Sequence, residues 1–314
     1  MDIDILLALQ EFRNGIGGGF AEFFNKMTFF GEMSVTPVLL AIVYWCVSRE
    51  YGAYLLVGWG GNRIINGGLK VTACAYRPWI RDPRVIPYGN SMTTATGYSF
   101  PSGHTMNAAT VFGGGVVRKD LPRILRIALA AIVALVAFSR IYLGVHTPQD
   151  ILAGTVFGLL MMWATVRLMR WVDSHPEKDW LVAAAGIALA AAVAVYAALK
   201  SYPADLDAEG ELLVNGRKMA NDTYKCVGWC AGILSGWVLE RRFVRFSTDI
   251  PMIRRIIRLA AGLLSYYAVN LILLPAVRGW FPEIAGHIIT CFLQVFYIMF
   301  VFPWCLKRLE KPDR

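Results

Sequence analysis

The sequence predicts an all-α protein, a polytopic transmembrane helix bundle of about nine spans. Three observations predict it. Of 314 residues, 56% are hydrophobic and only 17% are charged, and the mean hydropathy is +0.49, which excludes an ordinary soluble domain. Apolar runs long enough to cross a bilayer recur along the chain. The basic residues gather in the short connections between those runs, as membrane topology demands. The net charge of +9 therefore reports orientation in a membrane, and nucleic acid is not expected as a partner.

Residues 1–32 form an N-terminal interfacial segment. The opening MDIDILLALQEF is acidic and its apolar run is short, so no cleavable signal peptide is expected. Ile3, Leu6, Leu7 and Leu9 suit a short amphipathic helix or a frayed tail, Gly17, Gly18 and Gly19 break it, and Phe20, Phe23 and Phe24 begin a second interfacial piece.

Spans are expected near 33–48, 51–70, 102–117, 122–141, 149–170, 179–199, 220–239, 256–277 and 284–306. The second carries Asn62, Arg63 and Asn66, and the seventh carries Asp222 and Lys225. The first six, within 33–200, form a core. Residues 201–314 add a polar loop, with Asn215-Gly216 as a tight turn, and three further spans. Gly154 and Gly158, and Gly228, Gly232 and Gly236, repeat a four-residue step that lets helices approach closely.

Orientation follows from the positive charges. Arg118, Lys119, Arg123 and Arg126 surround one connection, and Arg167, Arg170 and Lys178 mark the next on that side. Arg241, Arg242, Arg245, Arg254, Arg255 and Arg258 mark a third, and Lys307, Arg308, Lys311 and Arg314 close the chain. With nine spans all of these fall on one face, the cytoplasmic one. The N-terminus and the loops 71–101, 140–148, 200–219 and 278–283 then face outward or into a lumen. The protein is expected to be multi-pass, in the cell membrane if bacterial.

The six cysteines (Cys46, Cys74, Cys226, Cys230, Cys291 and Cys305) are scattered and read as packing residues. Cys226 and Cys230 have no further ligand nearby, so neither a metal site nor an essential disulfide is expected.

Three clusters line the outer helix ends. Lys70 is followed after six residues by Arg77-Pro78. Next comes Pro101-Ser102-Gly103-His104. Ser139-Arg140 is followed after five residues by His146 and after three more by Asp150. Together they resemble the type 2 phosphatidic acid phosphatase family, whose signature is K-x6-RP, PSGH and SR-x5-H-x3-D. Every fixed residue of that signature occurs here, in order and at the family spacing, within about residues 33–170.

The chemistry of these residue types agrees. Pro101 suits the first turn of a helix, whose free N–H groups and positive dipole end favour an anion. Ser102 adds a hydroxyl, and Gly103 lets an anion approach the backbone. Lys70, Arg77 and Arg140 supply cations for the oxygens of a phosphoryl group in transfer. If the fifth span begins by His146, then His146 and Asp150 share one helix face. The carboxylate would hold one ring nitrogen as N–H and leave the other bare. The resemblance implies the same roles: His146 forms a phosphohistidine, and His104 protonates the leaving oxygen and then activates water. No metal and no cofactor are expected, because three cations take the place of a metal.

The expected activity is hydrolysis of a lipid phosphate or diphosphate monoester at the extracytoplasmic face. The alternatives are a soluble sugar phosphate as substrate, transfer of the phosphoryl group to another acceptor, or a non-enzymatic lipid-phosphate binding protein. An intact His104, His146 and Asp150 argues against the last. Lipid identity and oligomeric state are not legible in the sequence. Outside the motifs, Arg63 suits a structural pair or an extension of the site. Tyr76 and Trp79 suit interface anchoring or an acyl chain, and Arg81 and Arg84 suit a solvated loop or a headgroup contact. His175 and His287 match no motif.

Overall fold

The computed structural model describes residues 2–309. Lys311 and Arg314, counted above toward the charge bias, lie outside the described residues. The chain is all-helical, and its only extended pairing among the described residues is an isolated antiparallel bridge between Leu206 and Leu212.

Five helices are long and apolar enough to cross a bilayer: Arg123–Tyr142, Pro148–Ser174, Pro176–Leu199, Met252–Gly279 and Glu283–Leu309. A sixth is reached if the broken pair Gly18–Gly31 and Thr36–Val47 counts as one span. The protein is thus a multi-pass integral membrane helix bundle. Helices Arg49–Ala73 and Gly216–Leu239 have 25 and 24 residues, enough length to cross. Their polar residues, Asn62, Arg63 and Asn66 in one and Asp222 and Lys225 in the other, lower their hydropathy. Residues 102–117 form no single span. Helix Gly103–Val111 has 9 residues, and Phe112 separates it from the short, glycine-rich helix Gly113–Val116. Nine residues rise only about 14 Å, about half the thickness of the hydrocarbon core.

The chain divides into two compact units. The first contains residues up to Thr36, Ile65–Ala164 and Ala197–Ala220. Its N-terminal helices Asp2–Gly15 and Gly18–Met27 break at Gly17, whose φ of +83° favours glycine. They dock instead of trailing. Arg13 is buried and donates to the carbonyls of Tyr142 (3.1 Å) and Ile86 (2.8 Å). Phe24 packs on Tyr142 with ring centroids 4.8 Å apart. A second cluster, Val71, Tyr98, Ala197, Val214 and Met219, pins the polar loops to helix ends.

Asn215-Gly216 is not the tight turn expected from sequence. Asn215 caps helix Gly216–Leu239, its Oδ1 accepting the Lys218 N–H at 3.1 Å. A capping Asn satisfies a free first-turn donor, and that outweighs the turn preference of the dipeptide. The loop turns instead at Asp207–Gly210, where Asp207 Oδ1 accepts the N–H groups of Glu209 and Glu211.

The second unit contains Pro37–Ile64, Thr165–Tyr196 and Asn221 onward. Gly228, Gly232 and Gly236 form a stripe. A Cβ on the first two would strike the backbone carbonyls of Ile288 and Phe292, and one on the third would stand 2.6 Å from Met299 Cβ. The four-residue step thus brings two backbones together, as expected. The helical turn Tyr297–Val301 is a wide π turn. Carbonyls there accept from Trp45 Nε1 (Ile298, 2.9 Å) and the Tyr44 hydroxyl (Met299, 3.1 Å).

Candidate active site

All of the motif residues belong to the first unit. Lys70 stands in the last turn of helix Arg49–Ala73, and its Nζ donates to the Tyr98 carbonyl at 2.6 Å. Arg77 directly precedes the short helix Pro78–Arg81, which Pro78 starts. Its guanidinium is held by three carbonyls: Nε donates to Gly97 (2.9 Å), Nη1 to Val145 (3.0 Å) and Nη2 to Thr96 (3.0 Å). Trp79 covers it, with the ring centroid 5.8 Å from the guanidinium carbon. Burial pulls Arg77 down to about 10, partly offset by Asp150, so it remains a cation at neutral pH.

Ser102 caps helix Gly103–Val111, and its Oγ accepts from Thr105 N (3.4 Å) and Thr105 Oγ1 (3.0 Å). That leaves its own proton to donate. Its backbone N–H is held by the Asp150 carbonyl at 3.0 Å, which ties the second motif to the third. A Cβ at Gly154 would stand 3.0 Å from the Ser102 carbonyl, so that glycine lets the helix bearing Asp150 approach the turn. Arg140 sits in the last turn of helix Arg123–Tyr142 and is fully buried. Nε, Nη1 and Nη2 of its guanidinium have no partner among the described residues, and the same holds for His104 Nε2.

His146 and Asp150 meet, but not on one helix face. Helix Pro148–Ser174 begins after His146. Asp150 folds back to cap it, its Oδ2 accepting the Thr147 N–H at 2.8 Å. The same oxygen stands 3.3 Å from His146 Nδ1. Arg77 Nη1 lies along the ring, 2.9 Å from Nε2 and 3.4 Å from Nδ1. A carboxylate only accepts, so Nδ1 beside Asp150 carries the proton and Nε2, the nitrogen nearer Arg77, accepts. Burial first and the Arg77 charge second hold His146 well below the ordinary histidine value, with Asp150 opposing them. His146 is therefore a neutral ring whose unprotonated nitrogen lies against Arg77.

These groups form one electrostatic cluster. His104 feels Arg140, His146, Arg77 and Lys70, and Arg140 in turn feels Arg77 and Glu32. Cations, a free imidazole nitrogen and a second imidazole are the parts a phosphoryl transfer uses. Among the described residues, no three His, Cys, Asp or Glu side chains converge as a metal site would need.

One participant was missed in the sequence. Ser99 Oγ donates to Asp150 Oδ2 at 2.5 Å and lies 3.4 Å from His146 Nδ1. A serine in a polar loop carries no signal; only its closeness to the PSGH turn could have drawn notice. Arg63 does not join the site. It lies in the second unit, stacked over Trp229 (5.5 Å) and donating to Cys226 Sγ (3.8 Å). Tyr76 donates to Asp205 (2.6 Å), Arg81 pairs with Asp2 (2.7 Å) and Arg84 with Asp82 (2.7 Å). His175 stacks on Trp171, and His287 stands beside Arg278.

The fold and this site define a multi-pass helical membrane protein with a buried centre of histidines and cations suited to an oxyanion. Residues 51–174 match the model of the PAP2 superfamily, and residues 224–314 match that of the PAP2 superfamily phosphatase, transmembrane extension. The chain belongs to the PAP2 superfamily and carries its transmembrane extension.

Three curated relatives show the range. Phosphatidylglycerophosphatase B of Bacillus subtilis is 36% identical over 120 residues, 36% of this chain and 55% of the relative. Undecaprenyl-diphosphatase of Sulfolobus acidocaldarius is 34% identical over 132 residues, covering 42% and 62%. A probable sphingosine-1-phosphate phosphatase of Dictyostelium discoideum is 29% identical over 188 residues, covering 54% and 43%. The chain spans about half the length of the curated relatives it matches.

Proposed function

We propose that the protein is a lipid phosphate phosphatase that works through a phosphohistidine and needs no metal. One observation carries the reading. The Nε2 of His146 lies 2.9 Å from Arg77 Nη1, and a second cation of the same cluster, Arg140, is fully buried with its guanidinium unpartnered among the described residues. A buried guanidinium suits a planar face of a tetrahedral oxyanion. The relatives' names, which concern phosphatidylglycerophosphate, undecaprenyl diphosphate and sphingosine 1-phosphate, support a lipid substrate.

In this mechanism an arriving phosphate takes the Arg77 Nη1 donor from His146, which frees the Nε2 lone pair. Nε2 attacks phosphorus, the bond from phosphorus to the leaving oxygen breaks, and His104, which takes up a proton when the phosphate anion binds beside it, gives that oxygen the proton. Asp150 stabilises the positive charge that His146 gains. His104, now neutral, takes a proton from water; the water oxygen attacks phosphorus, and the P–N bond breaks. Lys70, Arg77 and Arg140 bind the oxygens that carry the charge, with Ser102 and the amides at Gly103.

The extracytoplasmic orientation belongs with this proposal. It sets the motif loops at the outer or lumenal face, where a headgroup meets water while its chains stay in the membrane.

The test is phosphate release by purified protein in detergent with EDTA. The panel holds phosphatidate, phosphatidylglycerol phosphate, polyprenyl diphosphate, sphingosine phosphate and glucose 6-phosphate. Release from a lipid that is lost in His146→Ala is expected. Release only from glucose 6-phosphate would replace the lipid by a soluble substrate, and release from none would overturn hydrolysis.

A further inference from the structure

Residues 96–99 hold three groups of the site. The Thr96 and Gly97 carbonyls accept from Arg77 Nη2 (3.0 Å) and Nε (2.9 Å). The Tyr98 carbonyl accepts from Lys70 Nζ at 2.6 Å. Ser99 Oγ donates to Asp150 Oδ2 at 2.5 Å. The stretch lies outside any helix, so no hydrogen-bond ladder of its own fixes it. The Ser99 N–H donates to the Ala75 carbonyl at 2.7 Å. A stretch that aims two cations and a carboxylate therefore depends on what packs against it.

That packing comes from residues 197–220, far along the chain but in the same unit. A Cβ at Gly97 would strike Sδ and Cε of Met219, so the thioether end of Met219 lies directly on the Gly97 backbone. Gly97 also has a φ of +67°, so the position favours glycine on both counts. Tyr98 is fully buried in one cluster with Val71, Ala197, Val214 and Met219. Two polar ties join the same segments. Tyr76, next to Arg77, donates to Asp205 at 2.6 Å. Lys200 Nζ donates to the carbonyl of Thr72, two residues beyond Lys70, at 3.1 Å. Met219 stands in the first turn of helix Gly216–Leu239, which continues into the transmembrane extension. No signature motif falls within 200–220.

We propose that segment 200–220 braces the phosphate-binding site, and that Met219 is a positioning residue that acts through the backbone of Gly97 and Tyr98 on Arg77 and Lys70. The proposal rests on the phosphatase reading. Arg77 keeps its aim only while the carbonyls of Thr96 and Gly97 stay in place, and Lys70 only while that of Tyr98 does. Arg77 and Lys70 are like charges that converge on one site and repel each other until a phosphate offsets them. Met219 on one side of the stretch holds it against that repulsion. The cations then meet the phosphate already placed, which spares the reaction the cost of ordering them.

The experiment compares wild type, Met219→Ala, Met219→Leu, Asp205→Ala and a control, Leu6→Ala, as full chains in detergent. One readout is kcat and KM for the substrate that wild type hydrolyses fastest. The other is the rise in melting temperature produced by inorganic phosphate, which needs no turnover. Met219→Ala should lower kcat/KM by about tenfold, mostly through KM, because the cations bind phosphate before phosphorus is attacked. It should also cut the phosphate-induced rise by about half. Met219→Leu keeps the volume and should stay within about twofold of wild type. Asp205 is exposed, so Asp205→Ala should fold, and it should lower kcat/KM by about two- to fivefold, the worth of one hydrogen bond. Leu6 is buried in helix Asp2–Gly15, so Leu6→Ala should lower the melting temperature and leave KM and the phosphate effect alone. Hydrolysis and a phosphate effect that are unchanged in Met219→Ala overturn the brace alone, as does an equal change in Leu6→Ala. If Met219→Ala does not fold, Asp205→Ala decides, and unchanged values overturn the brace. A wild type that hydrolyses no substrate and gains nothing from phosphate overturns the phosphatase reading, and the brace falls with it.

Discussion

Arg77 Nη1 lies 2.9 Å from His146 Nε2, while Asp150 Oδ2 lies 3.3 Å from Nδ1 of the same ring. The carboxylate meets Nδ1, while the cation lies nearer Nε2 and 3.4 Å from Nδ1. That arrangement fixes the tautomer, since Nδ1 must be the donor. It also identifies which atom would meet phosphorus.

Replacing His146 by Ala should reduce phosphate release below a tenth of wild type without unfolding the protein. Brief incubation of wild type with labelled substrate should leave a phosphoryl group on His146, stable to base and lost in acid. Activity retained in the variant would exclude His146 as the nucleophile.

Asp150→Asn keeps the shape of the side chain but removes the charge that orients the ring. By analogy with other His–Asp pairs, kcat should fall by about 10²–10⁴ with little change in KM. Because Asp150 also accepts the Thr147 N–H that starts its helix, a drop in melting temperature should accompany the loss.

Ser99→Ala tests a positioning residue, not a catalytic one. Its hydroxyl donates to Asp150 at 2.5 Å. A hydrogen bond to a charged group contributes about 1.5–3 kcal/mol, so kcat should fall by about ten- to a hundredfold. The pH profile should move with it, because an Asp150 without that donor holds its negative charge less well. An unshifted profile with unchanged kcat would remove Ser99 from the site.

Burial and Arg77 lower the His146 value, so the ring is neutral in the folded protein at pH 6.5, where an exposed histidine is half protonated. The nucleophile is lost only when pH falls through the lowered folded value. The acid limb of kcat/KM should therefore lie below 6.5. The sign for stability is the same: the unfolded chain binds more protons here, so acidification below 6.5 destabilises the fold. An acid limb midpoint above 7 would contradict the buried, Arg77-facing histidine.

Gly228→Ala tests the helix contact in the transmembrane extension. Alanine should gain about 1 kcal/mol from helix propensity. Its methyl group, however, would strike the Ile288 carbonyl, and overpacking against backbone costs about 1–3 kcal/mol. The net effect should be a lower melting temperature, larger still for Gly228→Leu.

The sequence by itself determined the membrane class, the helical fold and the motif residues. Hydropathy acts over single segments, and the spacing from Arg140 to Asp150 is bounded by a few residues of covalent chain. Packing steps behaved the same way: the glycines four apart in 228–236 face a second backbone because helix periodicity puts them on one side. Span assignment by hydropathy was less complete, since residues 102–117 break at Phe112, before a glycine run, and Asn215 acts as a cap where the dipeptide suggested a turn.

Only the tertiary structure decided which atoms meet. Arg77 and His146 are 69 residues apart, and Ser99 and Asp150 are 51 apart, so their contacts depend on how loops fold over helix ends. It also sent Arg63 to Trp229 and set Met219 on Gly97. No local rule bears on such distances, because the free energy that sets them comes from burying surfaces contributed by segments far apart in the chain.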